Sequence, residues 1–482
     1  MLDFRPVLQI VGWLLVGLAA AMLIPAAVDL SAGSPEWAVF ALSAGLTLFV
    51  GLALEAGMRS DWRRLSVRQT YLATALGWVV PCAFAALPFA FGRPQLAATD
   101  ALFEAICGLT TTNATVLTGL DHLPPGLLLW RGLLQWLGGA GTLAMAVALL
   151  PALKIGGMQM FRIELLMGGD KAAPRAARLG TTLAATYAGL TLTVGLSLWL
   201  VGMPGFDALV HAMATVSTGG FSTWDASISH FNKARIDLVV TLGMVASGLP
   251  FLVLAQAAQG NVRALWRDAQ ARWYFAILAA ASLVMTLWLM LGQHYGFPTA
   301  LRHGAFTVVS AITGTGFSTL DYGSWSGLPT ALLLFTALLG GCAGSTSGGI
   351  KIFRLQLLLA GALVQMRRLL RPHAVVIARF NRRQIPKEAL EAVMGYVFVY
   401  ALAFAALAMG LGLLGLDFVT SVSGAVGALT NFGPGLGPVI GPAGSFGALS
   451  DPAKWLLATG MLFGRLEMFP LLVLFIPGFW KQ

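Results

Sequence analysis

The stretch S-T-G-G-F-S-T-W-D, Ser217 to Asp225, is nearly repeated further along as T-G-T-G-F-S-T-L-D, Thr313 to Asp321. Gly220 and Gly316 fall in the same frame, each followed by Phe-Ser-Thr-any-Asp. Two looser copies flank the pair: T-T-T-N-A-T-V from Thr110 and T-N-F-G-P-G-L-G from Thr430. Each of the four follows an apolar run of roughly a dozen residues, too short to cross a bilayer as a helix and of the length of a re-entrant segment. Four such loops predict one pore.

The residue types fit that reading. A cation entering a narrow pore loses hydration water, and rings of backbone carbonyls from several loops can replace it. Turning successive carbonyls inward takes backbone angles that a Cβ resists, so glycine is the usual occupant, here Gly220, Gly316 and Gly433. The neighbouring Thr and Ser side chains hold the loop by local hydrogen bonds. A single Gly/Thr loop is a common turn; four at matching places, two nearly identical, are not chance.

Composition bounds the rest. Hydrophobic residues make up 57% of the chain and charged residues 10%, so no segment is polar for long enough to supply the surface of a soluble domain. This is an integral membrane protein. The net charge of +10 is the Lys and Arg excess of cytoplasmic loops rather than a nucleic-acid footprint. Cys82, Cys107 and Cys342 lie in apolar runs without metal-type spacing and are read as small core residues. The run after Asp3 and Arg5 is longer than a signal-peptide core and is read as a retained transmembrane helix.

Windows of roughly 20 apolar residues, the length a spanning helix needs, occur near 6–28, 36–57, 69–92, 124–152, 180–203, 236–260, 273–294, 328–362, 389–414 and 453–478. Short re-entrant helices are expected near 99–110, 206–217, 300–312 and 417–429, each starting beside Asp100, Asp207, Pro298 or Asp417. The predicted fold is therefore an all-α polytopic membrane protein: two N-terminal helices over 1–68, then pore repeats over 69–152, 153–260, 261–362 and 363–482. Irregular backbone at membrane depth must be buried in protein or line a watery cavity, and four loops around one axis meet that condition together.

With the N-terminus inside, the cytoplasmic segments hold 23 Lys and Arg residues against 6 outside (Arg93, Arg131, Lys233, Arg235, Arg302 and Lys454). The inner set includes Arg59, Arg63, Arg64, Arg68, Lys154, Arg162, Lys171, the basic run from Lys351 to Lys387, and Lys481. This places both termini in the cytoplasm and the four loops toward the outside, with Asp121, Asp225 and Asp321 just beyond three of them. These acids are either ordinary loop carboxylates or a ring that concentrates cations at a pore mouth.

Here the chain resembles the Trk/Ktr/HKT superfamily of potassium transporters, and within it the bacterial TrkH type. T-T-T-x-A-T-V at 110–116, S-T-G-G-F-S-T at 217–223, T-G-T-G-F-S-T at 313–319 and N-F-G-P-G-L-G at 431–437 look like its four filter loops. The resemblance implies K⁺ as the transported ion and a filter formed by Thr111, Thr112, Asn113, Thr218, Gly219, Gly220, Gly314, Thr315, Gly316, Asn431, Phe432 and Gly433. G-G-C-A-G-S-T-S-G-G-I-K at 340–351 and G-R-L-E at 464–467 look like its gating elements. By that resemblance Gly344, Ser345, Thr346, Ser347, Gly348, Gly349, Lys351 and Arg465 form the gate. Physics agrees in part: a Gly/Ser/Thr run from 340 to 349 should break its helix beside the pore, and an arginine at mid-span marks function. Glu467 is read on the same helix as Arg465 but on another face, with its partner open.

The family further implies a bacterial inner-membrane homodimer regulated by a cytoplasmic ring of TrkA-like, nucleotide-binding RCK subunits. No other cofactor is expected, and nucleotide enters only through that partner. The basic stretch Arg367 to Arg383 is expected to contact either that partner or anionic lipid. At position 113 the family's pattern has glycine and this chain has Asn113, expected to enter the left-handed region in its place. Related transporters with serine there favour sodium, so a Na⁺-permeable or weakly selective transporter is the alternative. A further alternative is a K⁺/H⁺ or K⁺/Na⁺ symporter, for which Glu467 is the one clear mid-span acid. Enzymes are not expected: Gly344 to Lys351 lacks the ending of a phosphate loop, and His122, His211 and His294 read as scattered loop or cap residues.

Overall fold

The computed structural model describes residues 3–60, 65–148, 172–373, 376–381 and 383–480. Arg63, Arg64, Lys154, Arg162, Lys171, Arg382, Lys481 and the boundary at 152/153 lie outside them.

Among the described residues six helices are long and apolar enough to cross a bilayer: Arg5–Ser31, Trp37–Gly57, Val67–Phe91, Arg178–Leu200, Ala269–Gly292 and Lys387–Leu413. Pro125–Ala148 is as long but carries Arg131 and Gln135, both buried.

Three of the windows predicted as spans are broken, each for a visible reason. The 236–260 window bends by 111° between Ala234–Ser247 and Phe251–Ala258, where Pro250 has no N–H to continue the ladder. The 328–362 window is two helices, Leu328–Leu339 and Ile352–Leu370. These breaks satisfy one another: Cys342 N donates to Gly248 O and Phe251 N to Gly344 O, both at 2.9 Å. The 453–478 window bends by 112° after Asp451–Arg465, because Glu467 and Met468 take positive φ of 62° and 52°. Arg465 therefore ends its helix, and Glu467 lies beyond it rather than on another face of it.

The four short helices form where expected, at Ala98–Leu109, Gly205–Val216, Phe297–Thr313 and Phe418–Thr430. Asp417 caps the last by accepting from Thr420 N at 3.1 Å. Their packing closes on itself. Ala98–Leu109 packs on Pro125–Ala148 and Asp451–Arg465, and Gly205–Val216 on Ala234–Ser247 and Pro125–Ala148. Phe297–Thr313 packs on Leu328–Leu339 and Ala234–Ser247, and Phe418–Thr430 on Asp451–Arg465 and Leu328–Leu339. Each short helix is thus held between the helix that follows it and the helix that follows a neighbouring short helix.

Candidate ion pore

Each short helix ends in a left-handed turn at an equivalent place. Thr111, Thr218, Gly314 and Asn431 have φ of 53°, 55°, 74° and 56°. Two residues on, Gly220, Gly316 and Gly433 are again at positive φ, 79°, 81° and 96°, but Asn113 is not. The expectation that Asn113 substitutes for glycine in the left-handed region is therefore corrected. Its side chain does something else, donating Nδ2–H to Gly316 O at 2.7 Å.

These four residues meet. A Cβ on Gly316 would lie 2.6 Å from Phe432 O and 2.7 Å from Asn113 Cβ, and one on Gly220 would lie 2.9 Å from Asn113 Cβ. A Cβ on Gly433 would run into the Asn113 backbone. Above them is a cavity of about 300 Å³ lined by Asn113, Gly220, Gly316, Ser222, Ser318 and Asp225, among others. Asp225 accepts from Gly119 N at 2.8 Å and Leu120 N at 3.1 Å, and its own N–H donates to Asp121 at 3.3 Å. Asp121 and Asp225 thus tie two loops together, while Asp321 accepts from Gly323 N and lines separate pockets.

Behind the loops the ties are polar and buried. Glu104 and Arg131 are 0% and 1% exposed and pair at 2.9 Å. Glu104 also accepts from Thr115 Oγ1 and Val116 N. His211 meets Ser222 Oγ at 3.0 Å, the same eleven-residue spacing as Glu104 to Thr115. Thr223 donates to Asp207 at 2.7 Å and His303 meets Thr319 at 2.9 Å, both at a spacing of sixteen. Asn431 Nδ2 donates to Thr112 Oγ1 and Met461 O, joining the first and fourth loops. Thr111 Oγ1 and Asn431 Oδ1 are buried oxygens with no hydrogen-bond partner.

Below the short helices runs the irregular segment 340–351. Thr346 Oγ1 donates to Val216 O at 3.0 Å, and Ser347 Oγ to Thr313 O at 2.7 Å. A Cβ on Gly348 would run into Thr430 O. The segment therefore lies against the C-terminal ends of three of the four short helices. Arg465 NH1 donates to Thr346 O at 2.9 Å, while its Nε and NH2 are buried without partners. Lys351 Nζ pairs with Glu467 at 3.0 Å, and Glu467 also pairs with Arg354, which stacks over Tyr396 at 3.7 Å.

The sequence model of TrkH, described as a cation transport protein, matches residues 41–481. The chain belongs to the TrkH family. It is 39% identical to the Trk system potassium uptake protein TrkI of Halomonas elongata, over 99% of this chain and 97% of that protein. It is 38% identical to the Trk system potassium uptake protein TrkH of Escherichia coli K12, over the full length of both. The crystal structure of the potassium transporter TrkH from Vibrio parahaemolyticus superposes with a TM-score of 0.92 at 36% identity, covering both chains completely.

In this TrkH-family protein the structure brings together residues that the sequence reading had separated. Arg131, counted among outer charges, is buried behind the loops. Lys351 and Arg354, counted in the cytoplasmic basic run, are buried against Glu467. His211 is a buried member of a short helix, not a loop or cap residue. Glu104 and Gln135 were missed. Their signal was available, since a charged or amide side chain inside an apolar membrane segment marks a buried partner. Cys82, Cys107 and Cys342 are free and buried, as expected.

Proposed function

We propose that this protein takes up K⁺ down its electrochemical gradient through a pore in a bacterial inner membrane, with both termini cytoplasmic. The relatives named above are potassium uptake proteins by name, and the observation that carries the reading is the meeting of Asn113, Gly220, Gly316 and Gly433 at one point. Four short helices end there, and the partial negative charge of a helix C-terminus favours a cation.

In this reading ten spans form two N-terminal helices and four pore units about a pseudo-fourfold axis, and the filter residues are those of the four loops from Thr111, Thr218, Gly314 and Asn431. Segment 340–351 is the gate. Two buried, unpartnered guanidinium nitrogens of Arg465 beside Thr346 put positive charge on the ion path. Release of the gate falls to cytoplasmic TrkA-like RCK subunits acting on a homodimer. Glu104 and Glu467 are both committed to ion pairs, which supports passive conduction over coupling to a second ion through a free carboxylate.

One observation favours the sodium-permeable reading. The Asn113 amide occupies the Gly316 carbonyl, removing one ligand from the ring at that level. The test is flux into liposomes for K⁺, Rb⁺ and Na⁺, comparing the chain as it stands with Asn113→Gly. A K⁺ preference in both supports potassium uptake. Na⁺ flux that glycine suppresses by about fivefold, the factor corresponding to one net hydrogen bond, identifies sodium as a substrate.

A further inference from the structure

The helix Pro125–Ala148 belongs to the first unit, yet two of its buried side chains act on the loop of the second. Gln135 donates Nε2–H to Gly219 O at 2.8 Å and accepts from Phe221 N at 3.0 Å through Oε1. Arg131, four residues earlier and therefore on the same helix face, donates NH1–H to Ser222 O at 2.9 Å and covers the Phe221 ring at 4.1 Å. Both side chains are fully buried.

The two bonds of Gln135 flank Gly220. In a trans peptide the N–H and C=O point in opposite directions. Because Phe221 N–H is turned to Gln135, the Gly220 carbonyl of that same peptide is turned away from it, toward the cavity that Gly220 lines. Because Gly219 O is also turned to Gln135, Gly220 N–H faces elsewhere, and it donates to Ala214 O at 3.4 Å. The reversal between the two peptides is what the positive φ of Gly220 accommodates. Among the described residues no hydrogen bond engages Gly220 O. Gln135 also fills the space where a Cβ on Gly219 would be.

We infer that Gln135 is a positioning residue for ion selection: its amide fixes the Gly220 carbonyl toward the ion, and Arg131 anchors the far end of the same loop. This rests on the filter reading above. One unit thereby supplies the brace for the next unit's loop, and the loop's geometry depends on a helix that never touches the ion.

The test measures the K⁺/Na⁺ uptake ratio and the K⁺ half-saturation concentration in liposomes, with thermal stability of each purified variant. Gln135→Met, similar in size without the amide, is expected to lower the K⁺/Na⁺ ratio about fivefold, the factor one lost net hydrogen bond represents. Gln135→Glu retains the acceptor for Phe221 N, which is the bond that aims Gly220 O, and is expected to hold the ratio within about twofold. An unchanged ratio in Gln135→Met overturns the inference, and so does an equal loss in both variants. Gly220→Ala separates the two readings. If it changes the ratio and Gln135→Met does not, the brace alone falls; if neither does, the filter reading falls with it. Should Gln135→Met fail to accumulate in the membrane, Arg131→Lys loses the donor to Ser222 O while keeping a charge opposite Glu104. It carries the same expected loss and the same refutation.

Discussion

The two faces of the short-helix ring are held by different chemistry. Above it, the loops are tied mostly by directional bonds to side chains on rigid helices, such as Gln135 to Gly219 and Arg131 to Ser222. Below it, segment 340–351 is held largely through its backbone, by Cys342 N on Gly248 O, Gly344 O on Phe251 N, Ala343 N on Gln270 and Thr346 O on Arg465. Two hydroxyls on the carbonyl ends of the short helices and the ion cluster of Lys351, Arg354 and Glu467 add to these. The difference lies in where the ties come from: side chains of neighbouring helices above, and mostly the segment's own backbone with a buried ion cluster below. Hydrogen bonds to a packed helix fix orientation at several atoms at once, whereas the lower segment depends in addition on the buried charges of Lys351, Arg354 and Glu467.

That contrast can be broken from either side. The largest effect is expected at Glu467→Gln, which leaves Lys351 and Arg354 buried without their anion. Removing one partner of a buried pair costs about 3–5 kcal/mol, read as a lowered midpoint in thermal unfolding. A midpoint equal to that of the unaltered chain would show that the cluster does not anchor the segment. Next is Gly316→Ala, which adds a methyl 2.6 Å from Phe432 O at a positive φ. Strain of about 1–3 kcal/mol at such a position corresponds to a roughly fivefold to 150-fold loss of K⁺ flux. Retention of full flux would remove Gly316 from the filter.

The smallest effect sharpens the lower half. Ser347→Ala deletes the bond to Thr313 O, and the net contribution of such a bond is about 1 kcal/mol. Basal K⁺ flux without any regulatory subunit is expected to rise a few-fold while the K⁺/Na⁺ ratio stays constant. A changed ratio with constant basal flux would instead place Ser347 in the filter.

Much of this was legible beforehand because membrane burial imposes strong local signatures. Apolar runs placed the short helices and six spanning ones but did not show that the runs at 236–260 and 453–478 are broken, and the repeated Gly/Thr words lie at the ends of the short helices. The words did not reveal what Asn113 does. Its side chain finds Gly316 O across 203 positions of sequence, and no local preference encodes such a contact. The same holds for Arg131 and Gln135. In its apolar helix Arg131 reads as an outer charge and Gln135 draws no reading, because their targets, Ser222 and Gly219, lie 91 and 84 residues on.

The sequence by itself determined the class of the protein, the places of the four short helices and loops, and the breaking of the helix at 340–349. Each of these follows from hydropathy, helix propensity and the backbone freedom of glycine, which act over a few neighbouring residues. Tertiary structure alone decided that Arg465 ends its helix, that Glu467 gathers Lys351 and Arg354, and that Gln135 braces the neighbouring loop. Those outcomes depend on which buried polar groups find one another once the helices are packed. A membrane interior leaves such groups no water to turn to, so each partnership is set by the assembled whole.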